Sequence, residues 1–239
     1  MRFSIDVGSE LELKLYQALL LYRNDHGNRV MATVHGVVQS DANGTPALGA
    51  GHLLSAAALR ELTKQLGTSS QAEYLPENVI ARTPELIAWW IPACIRSMFF
   101  RTGSELADVS GKLFPHPALV FAVRQGVLFV RALAESKRPD AGTQLAAAPY
   151  WNIDNDGRVC AGTMRIPKSV SVASIPVWQQ AFFQSEFTHP GGAGRLTKRR
   201  GGTTALWKSL VGKDLFPRSA LIETETVKDY LRKLEAERR

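Results

Sequence analysis

The stretch from Ala118 to Leu133 constrains the fold more than any other. Two apolar runs, Ala118 to Val123 and Val127 to Leu133, flank Arg124-Gln125-Gly126. Both runs are short and carry β-branched and aromatic side chains, and a glycine-bearing turn between them closes a hairpin. His116-Pro117 leads into the first run, where His116 is expected to shape the start of the strand. This is the clearest hairpin in the sequence.

The remaining segments arrange themselves around that hairpin. Leu11 to Tyr22 and Arg29 to Val38 read as a second hairpin, broken at Asn24-Asp25-His26-Gly27-Asn28. Ser40 to Gly51 is turn-rich; Ser55 then caps a helix through Ala56, Leu59, Leu62 and Leu66 that stops at Gly67. Thr83-Pro84-Glu85 reads as a helix start. Because Pro92 interrupts the apolar run that follows, an extended segment, Ile95 to Phe100, is expected after it. Trp89, Trp90, Phe99 and Phe100 read as core, and Cys94 as packing. Ile175-Pro176 opens an amphipathic helix of about 12 residues. Gly191 to Thr204 reads as a Gly-rich basic loop, and Glu223 to Arg239 as a terminal helix with Val227, Tyr230, Leu231 and Leu234 on one face.

At 239 residues, with 45% hydrophobic and 21% charged side chains, the chain can bury a substantial core. The expected fold class is α+β. Its net charge of +7 is uneven: residues 1–100 hold 8 Lys+Arg against 9 Asp+Glu, whereas residues 101–239 hold 21 against 13. Arg195, Lys198, Arg199 and Arg200 form the densest basic piece. It is either a solvated loop or an attraction for nucleic acid or an acidic partner, and it lacks the interleaved aromatics of a single-strand-binding surface. No helix-turn-helix, zinc-finger or RNP pattern accompanies it. Two cysteines give no disulfide framework, no apolar run reaches the roughly 20 residues of a membrane helix, and a cytoplasmic protein is expected. No phosphate-binding glycine loop, serine elbow or clustered zinc ligands are visible, so neither a cofactor nor a metal is expected.

One segment carries chemistry. In Pro149-Tyr150-Trp151-Asn152-Ile153-Asp154-Asn155-Asp156-Gly157-Arg158-Val159-Cys160 an asparagine precedes a thiol by eight residues across a polar turn. This resembles the active-site loop of ubiquitin-conjugating (UBC) enzymes, with Tyr150-Trp151 where that family has His-Pro and Ala161-Gly162 where it has Leu-Asp. The resemblance implies that Cys160 carries an acyl group as a thioester and that Asn152 donates a hydrogen bond to the developing oxyanion. A tight hairpin ending by chance in a cysteine, with Asn152 as its turn residue, is the alternative.

Further segments extend the likeness: Trp89-Trp90-Ile91-Pro92-Ala93, Arg96-Ser97-Met98-Phe99-Phe100, Phe114-Pro115-His116-Pro117-Ala118, Ala148-Pro149-Tyr150-Trp151-Asn152 and Phe187-Thr188-His189-Pro190. Together they resemble the PRTRC system protein B family, the prokaryotic ubiquitin-conjugating family D, over roughly residues 75–220. The resemblance implies a UBC-like antiparallel meander with packed helices at 80–220, a smaller α/β region at 1–79 and a terminal helix at 221–239. It implies a bacterial cassette, often on a plasmid or other mobile element. The neighbours are a ThiF-like activating enzyme, a ubiquitin-like protein, a JAB-type isopeptidase and a ParB-related protein. It also implies a histidine after the cysteine, here His189, able to act as base at neutral pH; capping the last carbonyls of a helix is the other role open to it. Two rival functions stand beside the conjugating one, namely an inactive UBC-like scaffold and a nucleic-acid-associated accessory protein.

Overall fold

The computed structural model describes residues 15–24, 30–39, 46–65, 73–168, 170–191 and 195–236. The chain divides into two compact units, Met1–Ala72 and Glu73–Arg239.

In the first unit β1 (Gln17–Arg23), β2 (Val30–Gln39) and β3 (Pro46–Leu53) form an antiparallel sheet in that order, followed by α1 (Ala56–Gln65). The expected hairpin is the β1–β2 pair; its turn at 25–28, the segment Leu11 to Lys14 and the helix stop at Gly67 lie outside the described residues. Ser55 caps α1, its hydroxyl accepting the Ala58 N–H at 3.1 Å. The turn-rich reading of Ser40 to Gly51 is corrected by β3. Gly51 serves there as a close approach: a Cβ on it would lie 2.3 Å from the His35 ring. That ring is held between the Thr33 hydroxyl, at 2.8 Å, and the Gly49 carbonyl, at 2.9 Å.

The second unit runs β4 (Val79–Arg82), β5 (Leu86–Ile91), β6 (Cys94–Ser97), β7 (Phe99–Phe100), β8 (Leu113–His116), β9 (Ala118–Arg124), β10 (Val127–Leu133), β11 (Gln144–Ala147), α2 (Ile175–Phe183), β12 (Glu186–Phe187), α3 (Gly202–Leu210), β13 (Glu223–Thr226) and α4 (Val227–Ala236). Its main sheet has the order β13-β11-β10-β9-β5-β4, with every neighbouring pair antiparallel. This is the α+β architecture expected from the sequence. β9 and β10 are joined by Gln125-Gly126, both at positive φ (48° and 78°), the conformation that a two-residue hairpin turn requires.

The expected helix after Thr83 is a strand instead. The Thr83 hydroxyl accepts the N–H groups of Glu85 and Leu86 at 3.3 and 3.0 Å, which makes Thr83-Pro84-Glu85 a turn. β5 then runs through the middle of the sheet, with Ile87, Trp89 and Ile91 in one core and Leu86 and Ala88 in the other. A strand buried on both faces is continuously apolar, so its period is hidden. Ile95 to Phe100 is extended as expected, in β6 and β7, but Phe99 is exposed while Phe100 is buried. α2 is nine residues long, shorter than expected. α3 was not foreseen: it starts in the Gly-rich basic stretch after Gly201 (φ 85°) and buries Trp207, whose Nε1–H donates to the Pro149 carbonyl at 2.7 Å.

α2 and α3 cover one face of the sheet and α4 the other. The terminal helix is shorter than Glu223 to Arg239, because Glu223–Thr226 pairs with β11 before α4 begins. Val227, Tyr230 and Leu234 pack onto the second face, and Leu231 lies half-buried against them. Among the described residues no helix is long and apolar enough to cross a membrane.

Candidate active site

The segment after β11 leaves the sheet, turns at Asp154-Asn155-Asp156-Gly157 and returns to the same edge of β10. Val130 N–H donates to the Gly157 carbonyl at 2.7 Å and Val159 N–H to the Leu128 carbonyl at 2.9 Å. Asp154 holds the turn, its Oδ1 accepting the N–H groups of Asp156 and Arg158, each at 2.9 Å. Gly157 (φ 84°) is required here, since a Cβ would lie 2.7 Å from the Val130 carbonyl oxygen. Cys160 follows, exposed to solvent.

Asn152 is buried, with φ at 60°, and joins the two chain segments of the site. Its main-chain carbonyl accepts the Cys160 N–H at 2.7 Å, and its main-chain N–H donates to the His189 carbonyl at 3.0 Å. Its side-chain Oδ1 accepts from the Thr188 N–H (3.0 Å), the Thr188 hydroxyl (2.9 Å) and the His189 N–H (3.3 Å). Nδ2 donates to the Glu186 carbonyl at 3.0 Å, which uses one of its two hydrogens. One residue thus sets the thiol segment against the histidine segment.

His189 is exposed, and its Nδ1 lies 2.8 Å from the Thr188 hydroxyl. That hydroxyl already donates to Asn152, so in the neutral ring Nδ1 carries the proton and Nε2 the basic lone pair. Cys160, Asn152 and His189 line one cavity of about 450 Å³, whose wall includes Val127, Met164 and Ile166. The three sequence-predicted residues are therefore together in space. His189 does not end α2: a turn and β12 separate it from the helix.

Tyr150, at the position of the UBC motif's histidine, is buried and hydrogen-bonded to a histidine from β8. Its hydroxyl lies 2.8 Å from His116 Nδ1, and His116 Nε2 lies 3.2 Å from the Arg96 carbonyl. A carbonyl only accepts, so in the neutral ring Nε2 donates to it and the Tyr150 hydroxyl donates to Nδ1. The two rings stack at 5.8 Å, and Phe183 and Trp207 close around them. Burial pushes His116 down to about 4 and Tyr150 well above its ordinary range. His116 is thus more than the lead-in to a strand: it anchors the base of the loop. Sequence reasoning missed the pair because 34 residues separate its members.

Cys94 is half-buried; burial raises its thiol, against a smaller opposing effect of the Arg96 guanidinium. Of the basic run, Arg195 is folded back on its own loop, donating to the Thr197 and Lys198 carbonyls at 2.8 and 2.6 Å. Among the described residues no group of three or more His, Cys, Asp or Glu is placed to hold a metal ion.

The family model for prokaryotic E2 family D covers residues 56–224. The chain belongs to prokaryotic E2 family D. No curated protein and no solved structure matches it. The family is ubiquitin-conjugating-like, and this member of family D matches it from the start of α1 to β13.

Proposed function

We propose that the protein accepts a ubiquitin-like protein as a thioester on Cys160, delivered by a ThiF-like activating enzyme. What carries the reading is the exposed Cys160 thiol on a cavity shared with Asn152 and His189 in a family D chain. In the first step Cys160 Sγ attacks the activated acyl carbon, and the bond from that carbon to the activating enzyme's thiol breaks. The departing thiolate takes the proton that Cys160 gives up. In the second step an acceptor amine attacks the same carbon, the Cys160 thiolate leaves, and the amine's proton passes to a base.

His189 Nε2 is the base that the hydrogen bonds leave free. Asn152 acts first by position, holding thiol and imidazole segments together; its second Nδ2 hydrogen is the one left for the oxyanion. Cys94 is set aside because burial disfavours its thiolate. The JAB-type isopeptidase and ParB-related protein belong to this proposal as cassette partners. Nucleic acid enters only through the exposed Lys198, Arg199 and Arg200.

The test is reconstitution with the activating enzyme, the ubiquitin-like protein and ATP on a non-reducing gel. Wild type and Cys94→Ala are expected to give a thiol-labile adduct, and Cys160→Ala none. In the same assay His189→Gln is expected to load normally and discharge to an amine roughly 10²-fold more slowly. A Cys160→Ala protein that still supports the system would establish the scaffold role instead.

A further inference from the structure

Arg131 of β10 is a buried arginine on the face of the sheet that α4 covers. Its Nε donates to Oε1 of Glu225 in β13 at 2.9 Å, and Nη2 forms an ion pair with the same oxygen at 2.9 Å. The other terminal nitrogen, Nη1, donates to the Asn155 carbonyl at 2.9 Å, inside the turn that precedes Cys160. The guanidinium carbon also sits 5.2 Å from the centre of the Tyr230 ring of α4. A Cβ on Gly157 would come within 3.3 Å of Nη1, so turn and guanidinium are packed in contact. At the surface Lys233 of α4 pairs with Asp156 of the same turn, a pair exposed enough to add little by itself.

From this we propose that Arg131 is a positioning residue for Cys160, fixing the Asp154–Gly157 turn to the C-terminal β13–α4 element. The proposal rests on Cys160 as the acyl carrier. β13 and α4 have fastenings of their own, Ala147 N–H to the Ile222 carbonyl and Val227 N–H to the Thr143 carbonyl at 2.8 and 3.0 Å. Removing the Glu225 carboxylate therefore frees the guanidinium, and with it the turn, without releasing the helix. A buried arginine deprived of its carboxylate is drawn toward water, and the Asn155 carbonyl loses its fixed donor.

The full-length protein is compared with Glu225→Ala, Glu225→Gln and Lys233→Met by hydrogen exchange and by thioester formation. In Glu225→Ala the Gly157 and Arg158 amides are expected to exchange roughly tenfold faster, while amides between β9 and β10 stay protected. At saturating donor the loading rate falls, with KM unchanged. Glu225→Gln keeps one oxygen where both donors meet, and is expected to restore protection and rate. Lys233→Met is expected to raise exchange in the same turn by a smaller factor, and keeps the proposal open to refutation should Glu225→Ala not fold. Unchanged turn exchange in Glu225→Ala, or in Lys233→Met should Glu225→Ala not fold, overturns it, as does a rise shared equally by turn and sheet amides in Ala and Gln alike. If wild type forms no thioester while turn exchange responds as stated, the carrier reading falls and the strut stands.

Discussion

Gly191→Ala is expected to destabilise the protein by about 3 kcal/mol or more and to abolish transfer, a large effect for one methyl group. A Cβ at this position would lie 1.5 Å from the Ile153 carbonyl oxygen and 2.6 Å from its carbonyl carbon. Neither neighbour is a flexible side-chain end. Ile153 is buried in the main core and bridged to Val159, so the segment carrying Thr188, His189 and Gly191 has to move. That movement pulls two residues off the Asn152 Oδ1 and separates the imidazole from the thiol segment. Urea midpoints of wild type and variant check it. Gly142→Ala is the control: among the described residues, chain neighbours aside, its added Cβ meets an Asp140 oxygen at an ordinary 3.7 Å, and a change within about 0.5 kcal/mol is expected.

Acid is expected to weaken the fold through His116. Burial holds this imidazole at about 4 in the folded chain, against about 6.5 when unfolded. The unfolded state therefore binds the proton first. Stability is level above the unfolded value, falls as pH drops from about 6.5 to about 4, and is then lower by about 3 kcal/mol. Desolvation of the ring sets the size of the effect; the Arg96 carbonyl opposes it, and two other groups facing the ring resist the charge. The Tyr150 hydroxyl would have to turn from donor to acceptor, while the Arg96 guanidinium repels a second charge. Denaturation midpoints between pH 7 and pH 4 test this, and His116→Phe is expected to flatten that interval while lowering stability at pH 7.

The local parts of the fold were legible in the sequence because their signals are local. Gln125-Gly126 marks a tight hairpin wherever it sits between apolar runs, and Ser55 caps α1 with its own side chain. α4 shows its apolar stripe because only one side is buried. β5 was misread for the opposite reason: Leu86 and Ala88 face α4 while Ile87 and Trp89 face α2 and α3, leaving no polar side to give the period. α3 was hidden by Gly201 and Gly202 at its start, which read as loop.

The site divides in the same way. Cys160 and Asn152 are eight residues apart on one loop, and the spacing identified both. The joining of that loop to residues 186–189 depends on hydrogen bonds spanning 34 to 37 residues, and its anchoring to Arg131 and Glu225 on one spanning 94. Nothing in a single sequence marks those partners. His189 was reached through the family resemblance alone.

The most direct measurement is made on Cys160→Ser, loaded with the activating enzyme, the ubiquitin-like protein and ATP, then treated with excess thiol and mapped by mass spectrometry. An oxyester resists thiols at neutral pH where a thioester does not. A thiol-resistant, hydroxide-labile adduct is expected on residue 160 itself. An adduct found only on lysine, or on Cys94, or none beside a charged activating enzyme, would contradict it.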